Sequence, residues 1–249
     1  STLYQEEGYG TYKDQNDNFS KKYTNVSVSN RYLNREPRFY NTVFFNGRQW
    51  PVSCNQVLFY NGGNSGVQEG QATLTGYMLF KRFNRSVSLT NPGVASQFRP
   101  SIIFRLADFY LMYAEAANEV NPNDVRVLKY LNLVRERAGL PGVETLNPAI
   151  RGNQELQRAA IQRERQVELA TEGQRYFDVR RWMIADKNGE GRQNGYAHGM
   201  NVRGEPNDID DFNRVVEASQ IVFNRKMYLY PMPDSEMRKT KNLVQNPGW

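Results

Sequence analysis

The stretch RPSIIFRLADFYLMYAEA, residues 99–116, contains a change of period that decides how the rest of the chain is read. Pro100 disfavours helix in the residue before it. A short apolar run, Ile102-Ile103-Phe104, follows. From Leu106 the spacing becomes helical: Leu106, Tyr110, Tyr113, Ala114, Ala117 and Val120 fall on one face. Phe109 and Met112 make the opposite side apolar as well, so the spacing predicts a helix buried nearly all round. Upstream the chain reads as loops and short strands, downstream as paired helices. This helix is therefore the expected centre of the core.

Downstream, Asn121-Pro122-Asn123-Asp124 reads as a stop and restart, with Asn123 or Asp124 capping the next helix. Val127, Tyr130, Leu131, Val134 and Ala138 form its apolar face, and Gly139 and Pro141 end it. Two helices joined by a tight turn make a hairpin close in size to one tetratricopeptide-type repeat. A second hairpin is predicted from about residue 153 to 185. Its first helix carries a sparse stripe of Leu156, Ala160, Val167 and Ala170, and its second carries Tyr176, Phe177, Val179, Trp182 and Met183. A lone hairpin cannot bury its face, so the two are expected to stack. The fold class expected is mainly α with long loops and short strands, an incomplete α-α superhelix of tetratricopeptide-like hairpins. Residues 186–224 read as a long polar insertion, and 227–233 as an extended tail restricted by Pro231 and Pro233.

Glu164, Glu168 and Glu172 lie on one face of the second hairpin, where they repel unless cations intervene. Arg175, Arg180 and Arg181 are the expected counterions. A carboxylate pair for glycoside hydrolysis is the functional alternative, but helix-borne ion-pair networks are much commoner. The same structural reading applies to Asp108 and Glu115. A di-iron bundle needs Glu-x-x-His on two helices, and the single histidine, His198, excludes it.

Upstream, residues 1–36 are polar, with five tyrosines among them, and a strand is expected at Val26–Val28. Asp14, Asn16 and Asn18 resemble the start of a calcium loop. Phe19 and Asn25 stand where that loop needs Gly and Glu, so calcium is not expected. Residues 38–45 read as a strand ended by Asn46-Gly47. Residues 57–60 are a second short run, and 77–80 a third. The glycine-rich loop 61–66 lacks the Lys-Ser/Thr of a phosphate loop. Trp50 and Tyr60 bracket it, with Arg48, Gln49 and Asn64 as polar neighbours. These five are the candidate ligand contacts, because aromatic rings among polar loop residues suit sugar or peptide recognition. Packing and plain exposure are the rival roles for each. Asp208, Asp210 and Asp211 are acids of a type that can hold a cation, yet loop acids are usually solvated.

The 249 residues are enough for a sizeable core. The hydrophobic fraction is 39% while aromatics reach 12%, which places aromatic side chains in polar loops. The net charge of +6 is scattered, whereas nucleic-acid binding wants a concentrated stripe. One cysteine, Cys54, excludes an internal disulfide framework and any Cys-rich zinc site. No apolar run is long enough to span a membrane. No cofactor, metal or catalytic residue is expected.

Several stretches taken in order resemble the carboxy-terminal half of the SusD/RagB family of Bacteroidetes outer-membrane nutrient-binding lipoproteins. They are Glu36-Pro37-Arg38-Phe39-Tyr40, Thr75-Gly76-Tyr77 with Lys81, residues 99–116, Arg135 with Ala138-Gly139-Leu140, and residues 161–182. Leu229-Tyr230-Pro231 with Pro233, and residues 245–249, complete the set. The resemblance implies a chain about half the family length, its amino-terminal half and lipidated cysteine lying elsewhere. It implies one carboxy-terminal domain, with a loop-rich ligand-facing part over 1–98 and a helical part over 99–249. The activity implied is non-catalytic capture of an oligosaccharide, or of a peptide, at the cell surface. The implied partner is a SusC-like, TonB-dependent transporter. No binding motif transfers residue by residue, so the candidate contacts rest on local chemistry. The rival functions are a glycosidase using loop carboxylates and a tetratricopeptide scaffold for a protein partner. If helices from outside this chain complete the fold, one side of the 106–120 helix, at Phe109 and Met112, is expected to be exposed here.

Overall fold

A computed structural model describes residues 8–14, 24–50, 55–67, 73–81, 83, 101–187 and 194–249. Cys54, Asn16, Asn18, Phe19 and Pro100 lie outside these residues. In chain order the elements begin with strands β1 (Tyr9–Tyr12) and β2 (Val26–Ser29), then helix α1 (Pro37–Thr42) and strands β3 (Val43–Phe45) and β4 (Tyr77–Leu79). Helices α2 (Leu106–Val120), α3 (Val125–Arg137), α4 (Val143–Leu146), α5 (Gln154–Glu168) and α6 (Gln174–Arg181) follow. Strand β5 (Gly195–Met200), helix α7 (Ile209–Phe212), strand β6 (Val215–Ile221) and helix α8 (Asp234–Met237) complete the set. The architecture is mainly helical, with three two-stranded antiparallel sheets among the described residues, β1-β2, β3-β4 and β5-β6.

The helices of both predicted hairpins form, and the first pair, α2 and α3, packs as predicted, while α6 ends at Arg181, short of the expected Ala185. Asp124 caps α3 by accepting a hydrogen bond from the Arg126 amide, and Asn153 caps α5 through the Leu156 amide. Helix α2 packs on both α3 and α5. Leu111, Ala114, Val127, Leu131, Val134 and Ile161 make the shared core. The buried line of α2 is Ala107, Leu111, Ala114 and Asn118, one residue round from the expected Leu106-Tyr110-Tyr113-Ala117 line. Leu106 is 62% exposed and Val120 88% exposed, so the expected face is corrected at both ends. The helix is not buried all round: Phe109 is 54% exposed and Met112 half-buried. Ile103 and Phe104, just before the helix, are exposed too.

The α5 stripe also differs from expectation. Its buried residues are Gln157, Ile161, Glu164, Arg165 and Glu168, not the small apolar set. Arg165 explains much of this, bridging Asp108 of α2 and Asp178 of α6 at 2.8 Å each.

Residues 38–45 split into α1 and β3 instead of forming one strand, because Pro37 sits at the first helical position, where its fixed φ favours helix. Residues 186–224 are not simply an insertion. Strands β5 and β6 pair within them, and Met200, Val202 and Phe212 join Phe44, Phe59 and Phe80 in an aromatic-rich core. Strand β5 crosses close to Thr75, with the Met200 amide donating to the Thr75 carbonyl at 3.0 Å. A Cβ at Gly199 would lie 2.7 Å from the Thr75 Cα, so only glycine allows this approach. The loop-rich core thus draws on both ends of the sequence.

Candidate functional site

The Asn46-Gly47 turn starts an irregular ribbon. Gly47 takes φ +85°, and its amide donates to the Val57 carbonyl at 2.8 Å. Gln49 and Gln56 form an antiparallel bridge, and Trp50 N donates to Asn55 O at 2.8 Å. Asn46 Oδ1 accepts from the Phe59 amide at 2.7 Å, and Asn64 accepts from Leu58 N and donates to Gln56 O. These bonds fix the course of residues 46–60 beside β2.

Helix α7 closes the other side. Asp208 caps it by accepting from the Asp210 and Asp211 amides. Tyr9 of β1 reaches across, donating to Asp210 Oδ1 at 2.8 Å and accepting from Asn213 Nδ2 at 2.7 Å. The ring of Tyr9 is thereby held in place. Burial raises the pKa of its hydroxyl, and the hydrogen bond to Asp210 and the charge of that carboxylate add to the rise. The Asn213 hydrogen bond and the Arg31 charge oppose it. The phenol therefore stays protonated at neutral pH.

Between β1, β2, the ribbon and α7 lies a groove of about 350 Å³. Tyr9, Tyr60 and Ile209 supply apolar surface, and Ser27, Gln56 and Asn213 supply polar groups. None of its described lining residues carries a formal charge. Its size falls in the range of about 300–1,000 Å³ typical of small-ligand sites. Two aromatic rings with amide and hydroxyl neighbours match the apolar face and polar edge of a sugar ring.

The family model for the SusD family matches residues 2–249. The chain belongs to the SusD family. It is 31% identical over 151 residues to SusD-like protein P2 of Formosa agariphila, a match covering 59% of this chain and 26% of that one. A solved structure of a SusD-like protein from Bacteroides fragilis is similar with a TM-score of 0.71 and 30% identity, covering 89% of this chain and 40% of that one. A SusD-like carbohydrate-binding protein from the same organism gives a TM-score of 0.66 and 25% identity, covering 86% of this chain and 42% of that one. The chain thus spans 26% of the curated relative.

Within this SusD-family chain the five candidate contacts do not converge on one cavity. Tyr60 lines the groove, its ring edge-on to Phe212. Trp50 packs edge-on against Phe44 and Phe83. Arg48 is fully buried, ion-paired with Asp14 and bonded to the Tyr40 and Val43 carbonyls. Its guanidinium also stacks over Phe80 at 4.2 Å. The Gln49 side chain accepts from Thr24 N at 3.0 Å. Asn64 is exposed and ties the turn together. Sequence reasoning missed Tyr9, Gln56 and Asn213. Tyr9 was one of several scattered tyrosines, and Asn213 lay in a segment read as an insertion. A signal was present there, in the β-branched Val215-Val216 pair and the Asp208 cap pattern ahead of Ile209.

Asp210 and Asp211 are engaged with Tyr9, Glu205 N and Asn201. No cluster of three or more His, Cys, Asp or Glu side chains placed to hold a metal occurs among the described residues. No described helix is long and apolar enough to cross a membrane.

Proposed function

We propose that this chain is part of a non-catalytic protein that binds an extracellular oligosaccharide at the outer membrane and delivers it to a SusC-like, TonB-dependent transporter. The observation that carries the reading is the Tyr9–Tyr60 groove, with aromatic walls, amide and hydroxyl neighbours and no carboxylate in its lining. Membership of the SusD family and the likeness to a SusD-like carbohydrate-binding protein support it. A glycosidase needs two carboxyls about 5–10 Å apart across a cleft; the described lining has none, and the single carboxylate bonded to it, Asp210, accepts from Tyr9. Tyr60 takes the ligand contact, while Trp50, Arg48, Gln49 and Asn64 hold the ribbon that presents it. The ligand-facing part is residues 1–98 with α7 added from the helical part.

A lipid anchor belongs, on this reading, to an amino-terminal part of a longer protein. The same part covers the exposed Ile103, Phe104 and Phe109, in keeping with the share of its relatives that this chain spans. The test is titration calorimetry of the intact protein against an oligosaccharide panel, with Tyr60→Ala alongside. Binding that falls at least tenfold in the variant, with the sugar recovered intact, supports the reading. Released hydrolysis products, or preference for peptides, overturns it.

A further inference from the structure

We propose that the groove selects an uncharged saccharide over one bearing carboxylate or sulfate groups; this rests on the oligosaccharide reading above. Among the described residues, no Lys or Arg lines the groove. Recognition of a carboxylate or sulfate calls for a guanidinium fork or an ammonium at contact distance. Hydroxyl groups instead need partners that both donate and accept, which serine hydroxyls and the amides of Asn and Gln supply. Ser27, Gln56 and Asn213 are such groups.

Among the described residues, two charged side chains hydrogen-bond to residues of the lining. Arg31 is 6% exposed and lies behind them. Its Nε donates to Ser29 Oγ at 3.0 Å, its Nη1 to Met200 Sδ at 2.9 Å and its Nη2 to Asn213 O at 3.0 Å. Its guanidinium is thus turned to protein acceptors, and it is not among the lining residues. Asp210 is the other. It is exposed and bonded to the Tyr9 hydroxyl, and there it repels an approaching anion. Next to Asn213, the exposed Arg214 is ion-paired with Asp211 at 3.0 Å, so among the described residues Asp210 is the exposed charge bonded to the lining, and Arg31 is enclosed. A neutral ring stacked on Tyr60 needs no counterion, whereas a sulfate or uronate finds no cationic side chain among the described lining residues and has Asp210 beside them.

The experiment compares three oligosaccharides of one backbone, neutral, carboxylated and sulfated, by calorimetry on the intact protein at low and high salt. Neutral binding at least tenfold tighter than either anionic form, with a Kd that stays within about twofold between ~0.05 and ~0.5 M salt, is the expected result. Tyr60→Ala removes that binding, and so does Ser27→Trp, which fills the groove from an exposed position on β2 and guards against a misfolded Tyr60 variant. If an anionic form binds more tightly and is lost in both variants, the charge selection is wrong while the oligosaccharide reading stands. If no form binds, or if binding survives both variants, the oligosaccharide reading of this groove fails and the selection with it.

Discussion

Glu168 lies under three guanidinium groups. Arg105 Nη1 approaches it at 2.6 Å, Arg137 Nη2 at 2.5 Å and Arg38 Nη1 at 3.0 Å. Arg38 also reaches Glu164 at 2.5 Å, and Arg105 and Lys81 reach Glu172 at 2.6 Å each. Burial alone would raise the Glu168 carboxyl, but the hydrogen bonds from Arg105 and Arg38 and the charges of Arg105 and Arg137 hold it below its ordinary value. Glu172 is lowered in the same way: Arg105 and Lys81 outweigh its burial. That these glutamates need cations was legible from their spacing. The identity of the cations was not, since ion pairing across elements is decided by tertiary packing. The expected Arg181 pairs with Glu115 and Asp178, and Arg180 stacks over the Tyr176 ring. Glu168→Gln is predicted to destabilise the chain by about 3 kcal/mol in urea unfolding at neutral pH, because it leaves the largely enclosed Arg38 and Arg105 short of a partner. The unfolded chain binds protons at Glu168 and Glu172 more readily than the folded one. Their contribution is therefore complete above the ordinary pKa of 4.5 and is lost as pH falls through the lowered folded values. A Tm that stays level above about pH 5.5 and drops below pH 4.5, with a shallower drop in Glu168→Gln, is the expected profile by thermal melts.

At the scale of elements, α2 shows how a correct helix can carry a wrong face. The sequence places large aromatics every three or four residues, and large apolar residues read as core. The packed line instead uses Ala107 and Ala114, small enough for helices to approach, together with Leu111 and the polar Asn118. Asn118 Nδ2 donates to the Gln154 carbonyl at 3.0 Å, which periodicity cannot foresee. Leu111→Ala is predicted to destabilise by about 3 kcal/mol, within the range for buried leucines. Phe109→Ala changes the stability of the 249-residue chain by less than about 0.5 kcal/mol. Chemical denaturation of the two variants distinguishes the observed face from the expected one. The β5-β6 hairpin was hidden because glycines at 195 and 199 dilute its alternation. Its contact with residues 73–77 depends on Gly76, where φ is +73° and a Cβ would come within 2.8 Å of the Met200 Cβ. Gly76→Ala is predicted to lower stability by about 1–2 kcal/mol, read as a shift of the denaturation midpoint.

Over the whole molecule, the ion pairs of Arg38 and Lys81 with α5 and its C-terminal end join the loop-rich part to the helical part. The aromatic core around Phe44 and Phe212 joins the start of the chain to residues 200–212. Helices α2, α3, α5 and α6 were legible from periodicity, and the family from the resemblance of several stretches taken in order. The groove was only half legible, through Tyr60, because its other wall comes from residues about 150 positions away, brought there by β5-β6 pairing. The proposed function turns on this groove as the place where an oligosaccharide binds. A crystal structure of the intact protein soaked with a neutral oligosaccharide tests it most directly. The expected result is a sugar ring stacked on Tyr60, its hydroxyls bonded to Gln56 and Asn213. A sugar bound elsewhere, with the Tyr9–Tyr60 groove left to solvent, contradicts it.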